Sequence, residues 1–464
     1  MSAFDPRTLT IADAAALLRA GQLTARDLTE ACLDRITRDN PRLNAFILIT
    51  AESARAEADQ ADRELRAGHD RGPLHGIPLS IKDLVDIDGL PTTAASHVRA
   101  GHIARRDAPI ITNLREAGAV FVGKTNLHEF AMGTTNEESA FGPALHPLDE
   151  TRSPGGSSGG SAASVVAGMC LATVGSDTGG SIRIPSAVCG LVGLKPAWND
   201  LPLDGVVPLG RTLDCVGPLA RSVEDAFLVY LAMAGRRPAM GIPEFGAQRK
   251  PRFGTLRGYF VEKLQAEVRA RAEAALAKVG AQAAAIDPVA IAHARFVPSI
   301  YLPTVLAEGA EYHATTLDRM PDAYTPGVRL RFELGRYVLA EDYLRAQRGR
   351  DRLRAEVNAA LQGHDALLLP TIPIVAPPLG ATKIPMDDGS DEPLRAAMLR
   401  LTQPFNLTGH PAISLPIPIP MGEKPGPTGA DRTGLPVGLQ VVARELPTLL
   451  AAARWCEQIL QNAA

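Results

Sequence analysis

The sequence predicts an α/β protein with a mixed or parallel β-sheet, and three observations carry that prediction. A short apolar alternation in "LHGIPLSIKDLVDIDGL", bounded by Gly76-Ile77-Pro78 and Asp88-Gly89, is a strand signal. A helix from Ala108 to Ala117 and a buried strand in "AVFVGKT" follow, with Gly118 as the stop between them, and strand–helix–strand alternation marks an α/β sheet. The chain has 464 residues, 45% of them hydrophobic and 21% charged, which is enough to bury a large core.

The elements follow in chain order. Thr10-x-x-Asp13 and Thr24-x-x-Asp27 match capping boxes, in which hydroxyl and carboxylate satisfy the free N–H groups of a first helical turn. After the second, Leu28, Cys32 and Ile36 form one apolar helical stripe, and "PRLNAFI" closes the unit. Glu52 to Arg66 reads as a more polar helix. The small-residue run "AASVVAGMCLATV" suits a closely packed helix and strand, "CGLVGLKP" a buried strand, and Ser222-x-x-Asp225 the cap of a further helix. A soft boundary lies at "RRPAMGIPEFGAQRKPRFG", and Val268 to Leu361 is mostly helical. "DALLLPTIPI" and "PVGLQVVAR" restore strands, "PMGEKPGPTGADRTGLP" reads as an exposed, mobile loop, and "LPTLLAAARWCEQIL" as the last helix.

Composition removes several function classes. A formal net charge of −3 creates no field that would draw nucleic acid or an anionic membrane. No run of about 18 apolar residues suggests a membrane span, and the N-terminus lacks the pattern of a secretory leader. The five cysteines, Cys32, Cys170, Cys189, Cys215 and Cys456, have no metal or disulfide spacing, so a reducing, cytoplasmic setting is expected.

Two glycine–serine runs, "SPGGSSGGSAAS" and "VGSDTGGSIRIP", carry the chemical signal. A phosphate loop needs lysine where Ser161 stands. "GSSGG" matches the nucleophile elbow formally, with His293, His313, His364 and His410 downstream, but no apolar strand leads into it. A flexible linker would not flow into a packed apolar run or carry Asp177 and Arg183.

Serine needs a base within reach to become a nucleophile. No histidine lies within either run, but a lysine neutralised by burial can serve, and Lys82 is an isolated cation on an apolar strand. Lys82, Ser157 and Ser181 could thus form a relay: Lys82 takes a proton from Ser157, Ser157 takes one from Ser181, and Ser181 forms an acyl-enzyme that water later cleaves. Gly179 and Gly180 let backbone N–H groups approach a carbonyl oxygen, each donor contributing about 2.7–4 kcal/mol to an oxyanion hole.

The run from Gly155 to Pro196, together with "GIPLSIKDLVDIDGLPTTAAS", "GKTNLHEFAMGTTNE" and "TQPFNLTGHPAISLPIP", resembles the amidase signature family over most of the chain. The resemblance implies one α/β domain over residues 1–464, a central twisted mixed sheet covered by helices on both faces. Its parts would be an N-terminal helical segment (about 1–70), a catalytic core (about 71–235), a variable, mainly helical pocket region (about 265–395) and C-terminal strands and helix (about 396–464). It also implies a Ser–cis-Ser–Lys triad, with Ser181 as nucleophile, Ser157 as the bridging serine after a cis Gly156–Ser157 peptide, and Lys82 as base. Thr178, Gly179, Gly180 and Ser181 would supply oxyanion amides. Ser158, Asp177 and Arg183 would support the loops, and Met132 and Gly133 would line the acyl side. No cofactor and no metal are implied.

Family likeness fixes the reaction class better than the substrate. The main expectation is a hydrolase of linear aryl or alkyl amides, extending to esters and carbamates (a urethanase activity). The alternative is the glutaminase (A) subunit of a tRNA-dependent amidotransferase. The expected partner is a small-molecule amide or carbamate, with no direct nucleic-acid contact, no membrane, and a monomer or homodimer. Tyr301, Tyr312, Tyr324, Phe332, Tyr337 and Tyr343 are candidates to line the pocket, or else ordinary helix packing.

Overall fold

The computed structural model describes residues 4–236, 241–246, 249–419 and 434–461. Part of the soft boundary after Arg236 and residues 420–433 of the expected exposed loop lie outside the described residues.

Eleven strands form one sheet: β1 (Phe46–Ile49), β2 (Pro78–Lys82), β3 (Val120–Thr125), β4 (Ala172–Asp177), β5 (Val192–Lys195), β6 (Cys215–Ala220), β7 (Arg252–Leu256), β8 (Ala285–Val289), β9 (Ala366–Pro370), and, after a separate small hairpin of β10 (Lys383–Pro385) and β11 (Asp391–Pro393), β12 (Ala412–Ile417) and β13 (Val437–Val442). Their order is β1-β3-β2-β4-β6-β5-β12-β13-β9-β7-β8. Strands β3, β2 and β4 run parallel, as do β9, β7 and β8, while antiparallel pairings join the two groups, so the sheet is mixed. Helices flank it, among them Gly159–Val166, which packs on β2 and β4, and Leu446–Gln461, which packs on β12 and β13.

Local rules account for most boundaries. Thr10, Thr24 and Ser222 cap the helices Ile11–Arg19, Ala25–Leu43 and Val223–Met233 by accepting from the N–H groups of Asp13, Asp27 and Asp225. The helix Pro109–Glu116 ends before Gly118, whose φ of 80° and contact with the His75 ring leave no room for a side chain. Within the stretch read as mostly helical, β8 is an additional strand. Its sequence, "AIDPV", carries Asp and Pro and hides the strand signal, and such residues are tolerated at a sheet edge. The strand β1 likewise lies in the segment expected to be helical.

This topology brings the C-terminal ends of the parallel strands β2, β3 and β4 to one edge. Lys82 is level with Thr125 of β3, and Ile81 with Val174 of β4. Ligand crevices in α/β sheets form at such an edge.

Candidate active site

Lys82 ends β2, a strand buried at every position, and is itself inaccessible to solvent. Its Nζ lies 2.7 Å from Ser157 Oγ and 2.8 Å from Ser176 Oγ. Burial pushes its pKa from 10.5 down to about 7, against the upward pull of Asp177 and Asp214. Lys124, equally buried on the next strand, shows the contrast: it pairs with Asp83 at 2.9 Å. Among the described residues, Lys82 has hydroxyl partners only, and an ammonium without a carboxylate is the form that burial disfavours.

Ser157 and Ser158 lie just before the helix Gly159–Val166, and the Gly156–Ser157 peptide is cis. The Ser157 carbonyl accepts from the His128 N–H at 3.0 Å, and Ser158 Oγ donates to the Ser176 carbonyl at 3.3 Å. The Ser158 N–H donates to the Ser181 carbonyl at 3.3 Å, which fastens the two glycine–serine runs together. The Lys82–Ser157 link is therefore formed in the free chain, while the Ser157 and Ser181 hydroxyls are not hydrogen-bonded to each other.

Ser181 follows β4 on a tight loop. Among the described residues, the backbone N–H groups of Thr178, Gly179, Gly180 and Ser181 donate to no protein acceptor, which leaves four consecutive donors beside one hydroxyl. The loop is held from outside. The Gly179 carbonyl accepts from Thr402 Oγ1 at 2.6 Å, and Thr178 Oγ1 donates to Asp214 Oδ1 at 2.6 Å. Asp177 and Arg183, both fully buried, form a two-pronged pair at 2.8 and 3.0 Å. Burial alone would raise the Asp177 carboxyl, but the Arg183 charge and hydrogen bonds, with Lys195 and Asn406, together outweigh it and hold the group at about 2.

The sequence-derived residues separate into groups. Lys82, Ser157, Ser158, Asp177 and Ser181 meet at the strand edge. The Met132 Sδ lies 3.6 Å from Arg395 Nη2. Gly133 faces the His128 ring so closely that no Cβ would fit. Tyr301 overhangs Gly179, its hydroxyl standing where a Cβ would go. Tyr324 and Phe332 instead pack with Phe130 and His313 in an aromatic cluster, Tyr343 donates to Glu308, and Tyr337 is 80% exposed. None of His293, His313, His364 and His410 hydrogen-bonds to a serine of either run, which removes the nucleophile-elbow alternative. Ser176, Asp214, Thr402, Asn406 and Gln440 escaped sequence reasoning. Each acts through a long-range contact, which the patterns around it do not reveal.

Among the described residues, no group of three or more His, Cys, Asp or Glu side chains could hold a metal, and no helix is long and apolar enough to cross a membrane.

A family model described as Amidase matches residues 27–447. The chain belongs to the amidase signature family. It is 36% identical to the glutamyl-tRNA(Gln) amidotransferase A subunit of Roseiflexus sp. (strain RS-1), over 94% of this chain and 93% of that one. A crystal structure of an amidase superposes with a TM-score of 0.89 at 38% identity, covering 97% of this chain and all of the other. A chain of an inhibitor-bound vestigial protein complex, described as revealing the evolutionary origins of an s-triazine catabolic enzyme, gives 0.88 at 34% identity over 98% of both chains. The mixed α/β architecture is that of these amidase structures, and the chain is an amidohydrolase or an amidotransferase component.

Proposed function

We propose that the chain cleaves a linear amide through an acyl-enzyme on Ser181. The observation that carries this reading is the Lys82 amine, buried, bonded only to hydroxyls and 2.7 Å from Ser157 Oγ. Neutral Lys82 accepts the Ser157 proton as Ser157 accepts that of Ser181, and Ser181 Oγ attacks the amide carbon. The amides of residues 178–181 receive the developing oxyanion. The relay then returns the proton to the leaving nitrogen, the C–N bond breaks, and water releases the acyl group in a second pass through the same groups. The Ser157–Ser181 contact closes when substrate is bound, the stage at which catalytic hydrogen bonds tighten. Asp177 and Arg183 position the loop without touching the reacting atoms.

Ser181→Ala should abolish both amide turnover and fluorophosphonate labelling; full labelling of that variant would remove the assignment. A near-normal rate in Lys82→Ala would place the base elsewhere.

Two roles suit this chemistry. The curated relatives, amidotransferase A subunits at 36–38% identity over 94% of the chain, favour a partner-dependent glutaminase role. The amidase structure at a TM-score of 0.89 supports the second role, a stand-alone hydrolase of aryl or alkyl amides. A homogeneous preparation that turns over such amides without partner or ATP would select the second role. Release of ammonia from glutamine only after a partner is added would select the first.

A further inference from the structure

The helix Leu394–Leu399 carries Arg395 and Leu399 four residues apart, and so on one face. Leu399 Cδ2 stands 3.0 Å from where a Cβ on Gly179 would lie, so this face is turned to the loop of free amides. Tyr301 overhangs the same glycine, and Arg395 is the charge that acts most strongly on it. Arg395 Nη2 reaches Met132 Sδ at 3.6 Å. The guanidinium therefore stands beside Met132, one helical turn from a side chain packed on the oxyanion loop, and near enough to Tyr301 for its charge to act there.

A guanidinium offers five N–H donors in a rigid plane and accepts nothing. Among the described residues, Arg395 makes only the weak contact to the Met132 thioether, its buried Nε has no partner, and no carboxylate pairs with it. Its neighbour Arg331 is satisfied, donating to Glu138 Oε2 at 2.8 Å and to the Met132 carbonyl at 3.2 Å. Glu138, the acid whose charge reaches Arg395, is thus engaged by Arg331, and also by His128 at 3.2 Å. Burial lowers the Arg395 pKa to about 10, which still leaves it charged at neutral pH. A cation half-withdrawn from water with no counter-charge is costly unless something supplies one.

We propose that Arg395 receives a carboxylate on the substrate, so that the preferred amides carry a negative charge a few atoms from the scissile carbonyl. The inference rests on the acyl-enzyme reading above and adds the substrate class. One free guanidinium fork matches one carboxylate, two oxygens against two N–H groups. Leu399, apolar and on the same face, would flank the carbon chain between that carboxylate and the amide.

Glutaramate and pentanamide, alike but for the terminal carboxylate, test this directly. The wild-type chain should favour glutaramate at least about tenfold in kcat/KM; Arg395→Gln should bring the ratio to about one, and Arg395→Lys should leave an intermediate value. Equal rates on the two amides in the wild type, or an undiminished preference in Arg395→Gln, would overturn the proposal. If neither amide turns over even with the amidotransferase partner supplied, the acyl-enzyme reading is at fault, and calorimetric titration with glutarate still decides Arg395. Binding about tenfold weaker in Arg395→Gln, with unchanged thermal unfolding, supports the carboxylate site, and equal binding removes it.

Discussion

The Asp214 carboxylate accepts a hydrogen bond from Thr178 Oγ1 at 2.6 Å, and its charge also reaches Lys82. One acid thus bonds to the loop of free amides and bears, through its charge alone, on the amine behind the serines. Burial raises its own pKa to about 6, against the Thr178 hydroxyl and the N–H groups of Leu209 and Gly210.

The pH profile follows from this arrangement. With the Lys82 pKa at about 7, kcat/KM should rise through neutral pH as the amine loses its proton. An anion nearby favours the ammonium, so Asp214→Asn should move that rising limb to lower pH. A limb that stays in place would show that another group sets it.

The Asp177–Arg183 pair predicts a stability effect. Arg183→Met leaves a buried carboxylate without its partner and removes bonds to the Thr402 carbonyl, Asn406 and Gln440. Breaking one side of such a pair costs about 3–5 kcal/mol. Denaturant unfolding of the variant should show a loss of that order; a loss below about 1 kcal/mol would mean the loop is held by something else.

Gly180 tests the loop itself. Its φ of 146° is a backbone conformation few side chains adopt, and an added Cβ would strike Thr402 Oγ1 and lie 2.8 Å from Thr402 Cβ. Gly180→Ala should displace the amides and lower kcat about 100-fold, the scale expected for a shift of about 1 Å. A folded variant with normal kcat would show that the amides of this loop do not receive the oxyanion.

The thiols give a probe that is independent of activity. All five cysteines are free and buried, and burial raises each thiol above its ordinary pKa, Cys215 to about 11. A disulfide reagent should modify almost none in the native protein at pH 8 and all five after unfolding. Rapid reaction of any one in the native state would show an opening that exposes it.

Much of the candidate site was legible because the pattern that suggests it is local. Glycines and serines at fixed spacing mark Ser157 and Ser181 without any fold, whereas Lys82 is set apart from Lys124, on another apolar strand, by the carboxylate that the fold gives Lys124. The capping residues Thr10, Thr24 and Ser222 were equally plain, since each acts within its own first turn. Asp214, Ser176 and Arg395 were not, because their meaning comes from what the fold sets beside them. The aromatic candidates illustrate the same limit: the sequence offered six rings of equal standing, and folding turned Tyr301 to the loop while placing Tyr324 and Phe332 in a packed cluster. Strand β8 was hidden by its Asp and Pro, which only an edge position makes tolerable.

The grip on Arg183 also has a bearing on biosynthesis. Its anchors at Thr402 and Gln440 come 219 and 257 residues later in the chain, and β5 finds its neighbour β12 only once residues 412–414 exist. A polypeptide leaving the ribosome therefore carries every reacting group for most of its translation without the scaffold that aligns them. Lys82, Ser157 and Ser181 are thus all synthesised well before the residues that grip Arg183.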